Sequence, residues 1–347
     1  MSAVDFATDQ IVPQRAPIFE RCREPLDPDT MTGAGSRLVI LVTGGLGFIG
    51  KHFVQRCLEL RHWVTNIDSV NYAADRAIKD EFDRWPNYRF IQQDIAHLDH
   101  LPECDVIVNF AAESHVDNSI ASNEQFCRSN ILGVQHLLEL ARMKQPGDRP
   151  RFIQISTDEV YGDIASGAHT EAGRLCPSNP YAATKAAADM LVMSWARTYR
   201  LDTNIIRPTN NYGPHQYPEK LIPKSCARLS RGKPAILHGD GSYQRCWLHV
   251  QDAVEAVLTV IAQGQPNTIY NIAGDLHVAN IEILRRLARF FSVPEEKAWT
   301  FVEDRSGQDR RYSLDDRRIR TLGWAPTRQF DRELEAIARS FDFKRFL

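Results

Sequence analysis

The segment Leu38–Thr43, followed at once by Gly44-Gly45-Leu46-Gly47-Phe48-Ile49-Gly50 and an amphipathic stretch, narrows the fold more than any other feature of the chain. An apolar β-branched run, a glycine-spaced turn and a helix in succession let the backbone turn tightly and approach a pyrophosphate. The helix N-terminus adds free N–H donors and partial positive charge. Asp68 ends the next apolar run, 18 residues after Gly50. A carboxylate there accepts hydrogen bonds from a ribose diol and repels a 2′-phosphate, so the residues predict NAD rather than NADP. The expected cradle is Gly44, Gly47, Phe48, Ile49 and Gly50, with Asp68 on the ribose. Asp94, next to Ile95, reads equally as a cap on the adenine edge or as a helix N-cap.

The same alternation repeats downstream. Short runs at Leu38–Thr43, Trp63–Asp68, Tyr88–Gln92, Val106–Asn109, Arg151–Ser156 and Asp202–Arg207 predict strands. Amphipathic stretches near Ile49–Leu60, Asn123–Ala141 and Tyr181–Tyr199 predict helices between them. Strand–helix alternation of this kind builds an α/β fold on a Rossmann-type, doubly wound parallel sheet. After Arg207 the pattern loosens around Pro214, Pro218 and Pro223, with further helices near Asp252–Ile261 and Ile281–Phe291. The expected organisation is an N-terminal extension over 1–36, an NAD-binding unit over 37–209 with part of 242–275, and a smaller C-terminal lobe, mainly 210–347, that binds substrate. Residues 1–36 mix Pro, Asp, Arg and Gly without periodicity, and a start at Met31 would leave the folded part intact.

With 42 basic against 44 acidic residues, the chain carries no field suited to a nucleic-acid backbone or an anionic membrane. Its apolar runs are far shorter than the roughly 20 residues of a membrane span. The N-terminus lacks the basic-then-apolar order of an export signal. Seven cysteines form an odd set with no zinc-ligand spacing, which predicts reduced thiols in a cytoplasmic protein and no metal site.

Tyr181 and Lys185 are four apart in a helix-compatible segment, so both side chains lie on one face. An ammonium beside a phenol favours the phenolate, which can take a proton from a sugar hydroxyl. Ser156-Thr157-Asp158-Glu159 follows a predicted parallel strand at its C-terminal end, where open α/β sheets place their ligands.

With these segments in order, the chain resembles the extended short-chain dehydrogenase/reductase family, and within it the nucleotide-sugar 4,6-dehydratases. The markers are TGGLGFIG (43–50), NFAAESHVDNS (109–119), STDEVYGD (156–163), NPYAATKAAAD (179–189), NNYGPHQYPEKLIP (210–223) and DRRYSLD (309–315), spread from Arg37 to about Trp324. The resemblance implies a lyase that dehydrates a nucleoside-diphosphate-glucose to its 4-keto-6-deoxy derivative, an early step towards deoxysugars such as rhamnose, with NAD retained as a prosthetic group. It assigns Tyr181 to the O4 proton with Lys185 beside it, Thr157 to the 4-hydroxyl, Asp158 to protonation of the departing 6-hydroxyl, and Glu159 to the C5 proton. Ala111 and Ala112 join the cofactor set. Ser114, His115, Asn211, Lys220, Leu221 and Arg245 are implied on the substrate side, with Asn271 and Arg305 as further residues of that pocket.

Bacterial members of the family often have His in a G-H-D-R-R-Y string where this chain has Gly307-Gln308-Asp309-Arg310-Arg311-Tyr312. Residues 214–223, 238–242 and 301–316 also resemble the dehydratase part of plant-type rhamnose synthases, which use UDP-glucose. Thymine and uracil differ by one methyl, a discrimination of only about 1–3 kcal/mol, and the nucleotide stays open between dTDP and UDP. Alternative outcomes are a C4 epimerase or decarboxylase of the same fold, against which the acidic pair weighs, and a non-catalytic NAD-binding regulator. The resemblance further implies a homodimer formed through the helices near 123–141 and 181–199, which carry Leu132, Val134, Leu137, Leu138, Met190, Leu191 and Met193.

Overall fold

The computed structural model describes residues 37–304 and 307–342. The extension expected over 1–36, Cys22 and Arg305 all lie outside the described residues.

β1 (Val39–Thr43), β2 (Trp63–Asp68), β3 (Tyr88–Gln92), β4 (Val106–Asn109), β5 (Arg151–Ile155) and β6 (Thr203–Pro208) lie within one residue of the expected strand bounds. They are followed by β7 (Asn210–Tyr212), β8 (Ala235–His238), β9 (Gln244–His249), β10 (Thr268–Ile272), β11 (Leu276–Ala279) and β12 (Trp299–Val302). Among the described residues, seven strands pair in parallel in the order β10-β6-β5-β4-β1-β2-β3.

Every residue of β4, β5 and β6 is buried, which is why these strands read as continuous rather than alternating runs. Alternation still sorts side chains between the sheet's two faces. Ile40 and Val42 of β1 pack with Phe53, Val254 and Val257, whereas Leu41 packs with Ile107, Phe152, Leu137 and Val192. The strand order reverses between β1 and β4. The loops leaving their carboxyl ends therefore diverge there and open a crevice.

Two helices shape that crevice. Pro180–Tyr199 starts with Asn179 as N-cap, its side chain accepting from Ala182 N, and with Pro180 in the first turn where its missing N–H costs nothing. The other helix departs from expectation. Instead of one α-helix over Asn123–Ala141, the chain forms Glu124–Cys127, a π turn over Arg128–Leu132, and Gly133–Met143. A π turn fits one more residue per turn, and such turns recur at functional sites. Here it places Asn130, fully buried, so that its amide accepts from Glu113 N at 2.9 Å and donates to Glu113 O at 3.0 Å and Thr184 Oγ1 at 2.9 Å. The wall of the crevice is thereby tied to the helix bearing Tyr181.

The remaining strands form two small sheets, β11-β9-β7 and β12-β8. They enclose a second core of Tyr212, Ile222, Trp247, Leu284, Leu287, Phe330 and Leu334. β10 instead returns to the edge of the large sheet beside β6. Among the described residues no helix is long and apolar enough to cross a membrane, no group of side chains is placed to hold a metal ion, and the six cysteines are free.

Candidate active site

The glycine loop has the shape a pyrophosphate requires. Gly44 has φ +70°, and a Cβ there would lie 2.6 Å from Ala111 N. A Cβ on Gly50 would collide with Gly44 O. Both positions therefore demand glycine for backbone approach, and the helix Phe48–Glu59 starts immediately beyond the loop. A cavity of about 300 Å³ runs from this loop along the carboxyl ends of the strands. Gly44, Gly47, Phe48, Ile49, Gly50, Asp68, Asp94, Ile95, Ala111 and Ala112 all line it, as do Tyr181 and Lys185 at its far end.

Asp68 sits at the end of β2 as expected and also does something the sequence does not announce. Its Oδ2 accepts from Leu46 N at 2.9 Å and its Oδ1 from Val70 N at 2.8 Å, so the carboxylate braces the glycine loop. Asp94 combines its two readings: it N-caps Ile95–His97 through Ala96 N at 2.9 Å and also lines the cavity. The glycine cradle and the carboxylate at the second strand end fit a dinucleotide with a free ribose diol.

Thr157, Asp158 and Glu159 form the turn that follows β5, and the structure brings them beside Tyr181 and Lys185 in the same cavity. Asp158 and Glu159 are neighbours in very different surroundings. Asp158 is 3 % exposed; its Oδ1 accepts from Thr157 Oγ1 at 3.2 Å, and its Oδ2 is buried with no hydrogen-bond partner. Burial, reinforced by the charge of Glu159, pushes its carboxyl up to about 8. Glu159 is also pushed up by burial, but Asn179 donates to its Oε2 at 3.1 Å, and Arg245 and Lys220 favour its charge. Asn179 caps the helix Pro180–Tyr199, so Glu159 faces the end of a helix that favours a negative group. One carboxyl is thus held protonated near neutrality and the other has partners for its ionised form, an arrangement that separates acid from base.

Tyr181 differs from expectation. Burial first, then Glu159, push its phenol up, with Thr157 pulling the other way. Lys185, whose ammonium was expected to favour the phenolate, donates to Ile155 O at 2.5 Å and is itself pushed down to about 8 by burial. The ammonium is oriented by the end of β5 rather than paired with the phenol oxygen.

A second cavity, of about 200 Å³, adjoins the first. Ser114, Glu159, Asn211 and Lys220 line both, which puts Glu159 at the junction, while His115, Leu221 and Arg245 line the second. Lys220 Nζ donates to Ser114 O at 2.9 Å, joining the loop after β4 to the start of the helix Leu221–Leu229. Arg245 is buried in β9, donates to Asp309 O at 2.9 Å and stacks at 4.5 Å on Tyr312. Several polar atoms here are buried with no protein partner: Asn211 Oδ1, His115 Nδ1, Trp247 Nε1, Asn280 Oδ1 and Gln308 Oε1. Buried polar atoms are costly unless something completes them, and these line the second cavity.

Asn271 requires a correction. It lies in β10, is fully buried and lines neither cavity; its Oδ1 accepts from Tyr161 OH at 2.8 Å, and its amide donates to His169 O at 3.0 Å. Strand alternation turns it into the core, not towards the pocket. Residues that the sequence reading did not single out include Asn130, Asn179, Gln216, Trp247, Asn280 and Tyr312. Asn179 carried a local signal, an Asn just before Pro at a helix start, and Gln216 and Tyr312 lay inside the family markers 210–223 and 309–315 without a role of their own.

A family model described as GDP-mannose 4,6 dehydratase matches residues 41–337. The chain is 42% identical over 301 residues to a dTDP-glucose 4,6-dehydratase of Streptomyces niveus, covering 83% of this chain and 88% of that protein. It is 38% identical over 296 residues to a trifunctional UDP-glucose 4,6-dehydratase/UDP-4-keto-6-deoxy-D-glucose 3,5-epimerase/UDP-4-keto-L-rhamnose-reductase of Arabidopsis thaliana, covering 82% of this chain and 44% of that protein. Among solved structures, the dTDP-glucose 4,6-dehydratase DesIV of Streptomyces venezuelae with NAD and TYD bound superposes with a TM-score of 0.82 at 41% identity, covering 87% of this chain and 96% of that one.

Proposed function

This chain belongs to the GDP-mannose 4,6 dehydratase family within the extended short-chain dehydrogenases, and from that premise we propose that it dehydrates a nucleoside-diphosphate-glucose to the 4-keto-6-deoxy sugar nucleotide. It is an NAD-dependent hydro-lyase. The observation that carries the proposal is the asymmetric pair Asp158 and Glu159 beside Tyr181 and Lys185 in the first cavity, with Glu159 where the two cavities meet.

NAD, when bound, supplies reversible hydride acceptance and a positive ring. Tyr181 takes the O4 proton, with Lys185 fixed behind it and Thr157 oriented to the 4-hydroxyl. A ketone at C4 acidifies the C5 proton, which Glu159 removes. Asp158, protonated up to about pH 8, gives its proton to the departing 6-hydroxyl, so that water leaves across C5 and C6. The 5,6-double bond so formed becomes the 6-deoxy sugar when the hydride given up by C4 returns to C6 and Glu159 gives its proton back to C5, so oxidation and reduction cancel over the turnover. An epimerase needs no carboxyl pair at this point, and that argues for elimination.

On the substrate side, Arg245 and Asn211 hold the diphosphate, with Lys220 and Leu221 at the mouth and Ser114 and His115 on the sugar. Residues 37–209 with part of 242–275 act as the NAD-binding unit, and mainly residues from 210 onward bind the nucleotide sugar. Leu132 and Met190 are 54% and 49% exposed on neighbouring helices, and Met143 is 70% exposed, in keeping with a homodimer through these helices. Free thiols at the six described cysteines accord with a cytoplasmic setting.

The test is incubation of the purified holoenzyme with dTDP-glucose, UDP-glucose and GDP-mannose separately, followed by mass spectrometry. Loss of one water from a glucose nucleotide is expected, and the preferred nucleotide decides between dTDP and UDP. Conversion at unchanged mass would mean epimerisation, contrary to the proposal.

A further inference from the structure

Asp189 lies one helical turn beyond Lys185 and two beyond Tyr181 on Pro180–Tyr199, so the three side chains share a face. The reaction laid out above makes no use of it. It is nonetheless fully buried, where an ionised carboxylate persists only if other groups hold it. Its Oδ2 accepts from Ser156 Oγ at 3.0 Å and from Arg207 Nε at 2.9 Å; its Oδ1 is equally buried and has no hydrogen-bond partner. Arg207, from β6, is held in turn by Tyr161, donating to its hydroxyl at 2.6 Å and lying 4.7 Å from its ring.

The charged and titratable groups around Lys185 fall into a simple order. Tyr181 and Asp189 come from its own helix, Asp158 and Glu159 from the turn after β5, and Arg207 from β6 behind Asp189. Arg207 is paired with the buried Asp189 carboxylate at 2.9 Å, and Lys185, one helical turn away on the same face, lies within reach of its charge. Burial drives Lys185 towards its neutral form, and the charge of Asp189 opposes that drive. We propose that Asp189, anchored by Arg207 and Ser156, is a positioning residue for the oxidation step, keeping the Lys185 ammonium charged and fixed on the Ile155 carbonyl beside Tyr181. It acts through Lys185 and touches neither substrate nor cofactor. The proposal rests on the reading of Tyr181 and Lys185 as the pair that serves C4 oxidation.

The test follows NADH formation in the holoenzyme from whichever glucose nucleotide it turns over, across pH 6 to 10. Loss of the Lys185 proton should give wild type an alkaline limb near pH 8. In Asp189→Asn, Lys185 keeps a cation nearby and loses its anion. The limb should move down by about one pH unit, a roughly tenfold loss of rate above it. In Arg207→Gln the carboxylate serves Lys185 alone, and the limb should move up. Asp189→Glu, which keeps the charge, should hold the limb within about 0.3 pH units of wild type. A limb that stays in place in Asp189→Asn or Arg207→Gln, whatever happens to melting temperature, overturns the proposal. So does a limb displaced by a full unit in Asp189→Glu, the mildest change and the one that decides if the other two lose NAD. Lys185→Met separates the two readings: persistent NADH formation there contradicts the role of the Tyr181–Lys185 pair. Its loss combined with an immobile limb in Asp189→Asn contradicts the role of Asp189 alone.

Discussion

The cofactor cavity is walled at its phosphate end by backbone, in a loop between consecutive elements where Gly44 and Gly50 leave no room for a side chain. The nucleotide-sugar cavity is walled by side chains from scattered segments, among them Ser114, Lys220, Trp247, Asn280 and Tyr312, several with polar atoms awaiting a partner. The difference decides how each can change. A backbone cradle tolerates almost no substitution and accepts one kind of ligand. A side-chain wall can be retuned residue by residue, which suits a family whose members differ in nucleotide.

The comparison predicts its largest effect at Gly44. In Gly44→Val the backbone at φ +70° is strained by about 1–3 kcal/mol and the side chain meets the Ala111 backbone. Purified protein should lose nearly all of its NAD, read from absorbance after denaturation; a full NAD load would break the backbone account. A side-chain wall should fail more locally. Arg245→Ala should lower kcat/KM for the nucleotide sugar by about 10–100-fold while NAD content is unchanged. Loss of NAD from that variant would show that the two cavities are not separable in this way.

These two regions were also unequally legible in the sequence. Six strands and the phosphate loop came out within a residue because each is a local signal: a β-branched run, a glycine turn, an Asp at a strand end. Tyr181, Lys185 and the Thr157-Asp158-Glu159 turn were placed together by the topology of a parallel sheet and by family resemblance. Trp247 and Asn280 were not found, and Tyr312 was seen only as part of a motif without a role of its own, because β9, the segment after β11 and the loop after β12 meet only through non-local packing. Asn271 was misplaced for a related reason: nothing local shows which face of β10 it takes. The π turn escaped because one extra residue hardly disturbs a helical pattern, although it sets the position of Asn130.

A smaller effect sharpens the contrast at the junction. Asp158 is held protonated up to about 8, whereas the unfolded chain releases that proton in the ordinary carboxyl range. With the folded value raised, the stability tied to this proton is fully present only below the ordinary carboxyl range and is lost progressively as pH rises from there through about 8. Asp158→Asn should therefore be more stable than wild type near pH 8, on the order of 2 kcal/mol in urea unfolding, with the gap closing as pH falls. An equal gap at all pH values would mean that packing, not the proton, sets the difference. Smallest is the effect at Asp68. Because its carboxylate also braces Leu46 and Val70, Asp68→Ala should weaken NAD by about tenfold and relax discrimination against NADP in reconstituted apoenzyme. Unaltered preference for NAD would remove Asp68 from the ribose.

In the proposed mechanism, oxidation belongs to Tyr181 with Lys185, and elimination to the unlike carboxyls Asp158 and Glu159. Its most direct test mixes Tyr181→Phe, Glu159→Gln and Asp158→Asn with substrate in a stopped-flow cell, reading NADH absorbance and then quenched mass spectra. Tyr181→Phe should form neither NADH nor product, with activity down by about 10²-fold or more. Glu159→Gln and Asp158→Asn should accumulate NADH without losing water, and a substrate with fluoride at C6, which needs no acid to leave, should restore much of the rate in Asp158→Asn alone. Equal loss of NADH formation in all three variants would contradict the division of labour and place the acidic pair in binding or folding instead.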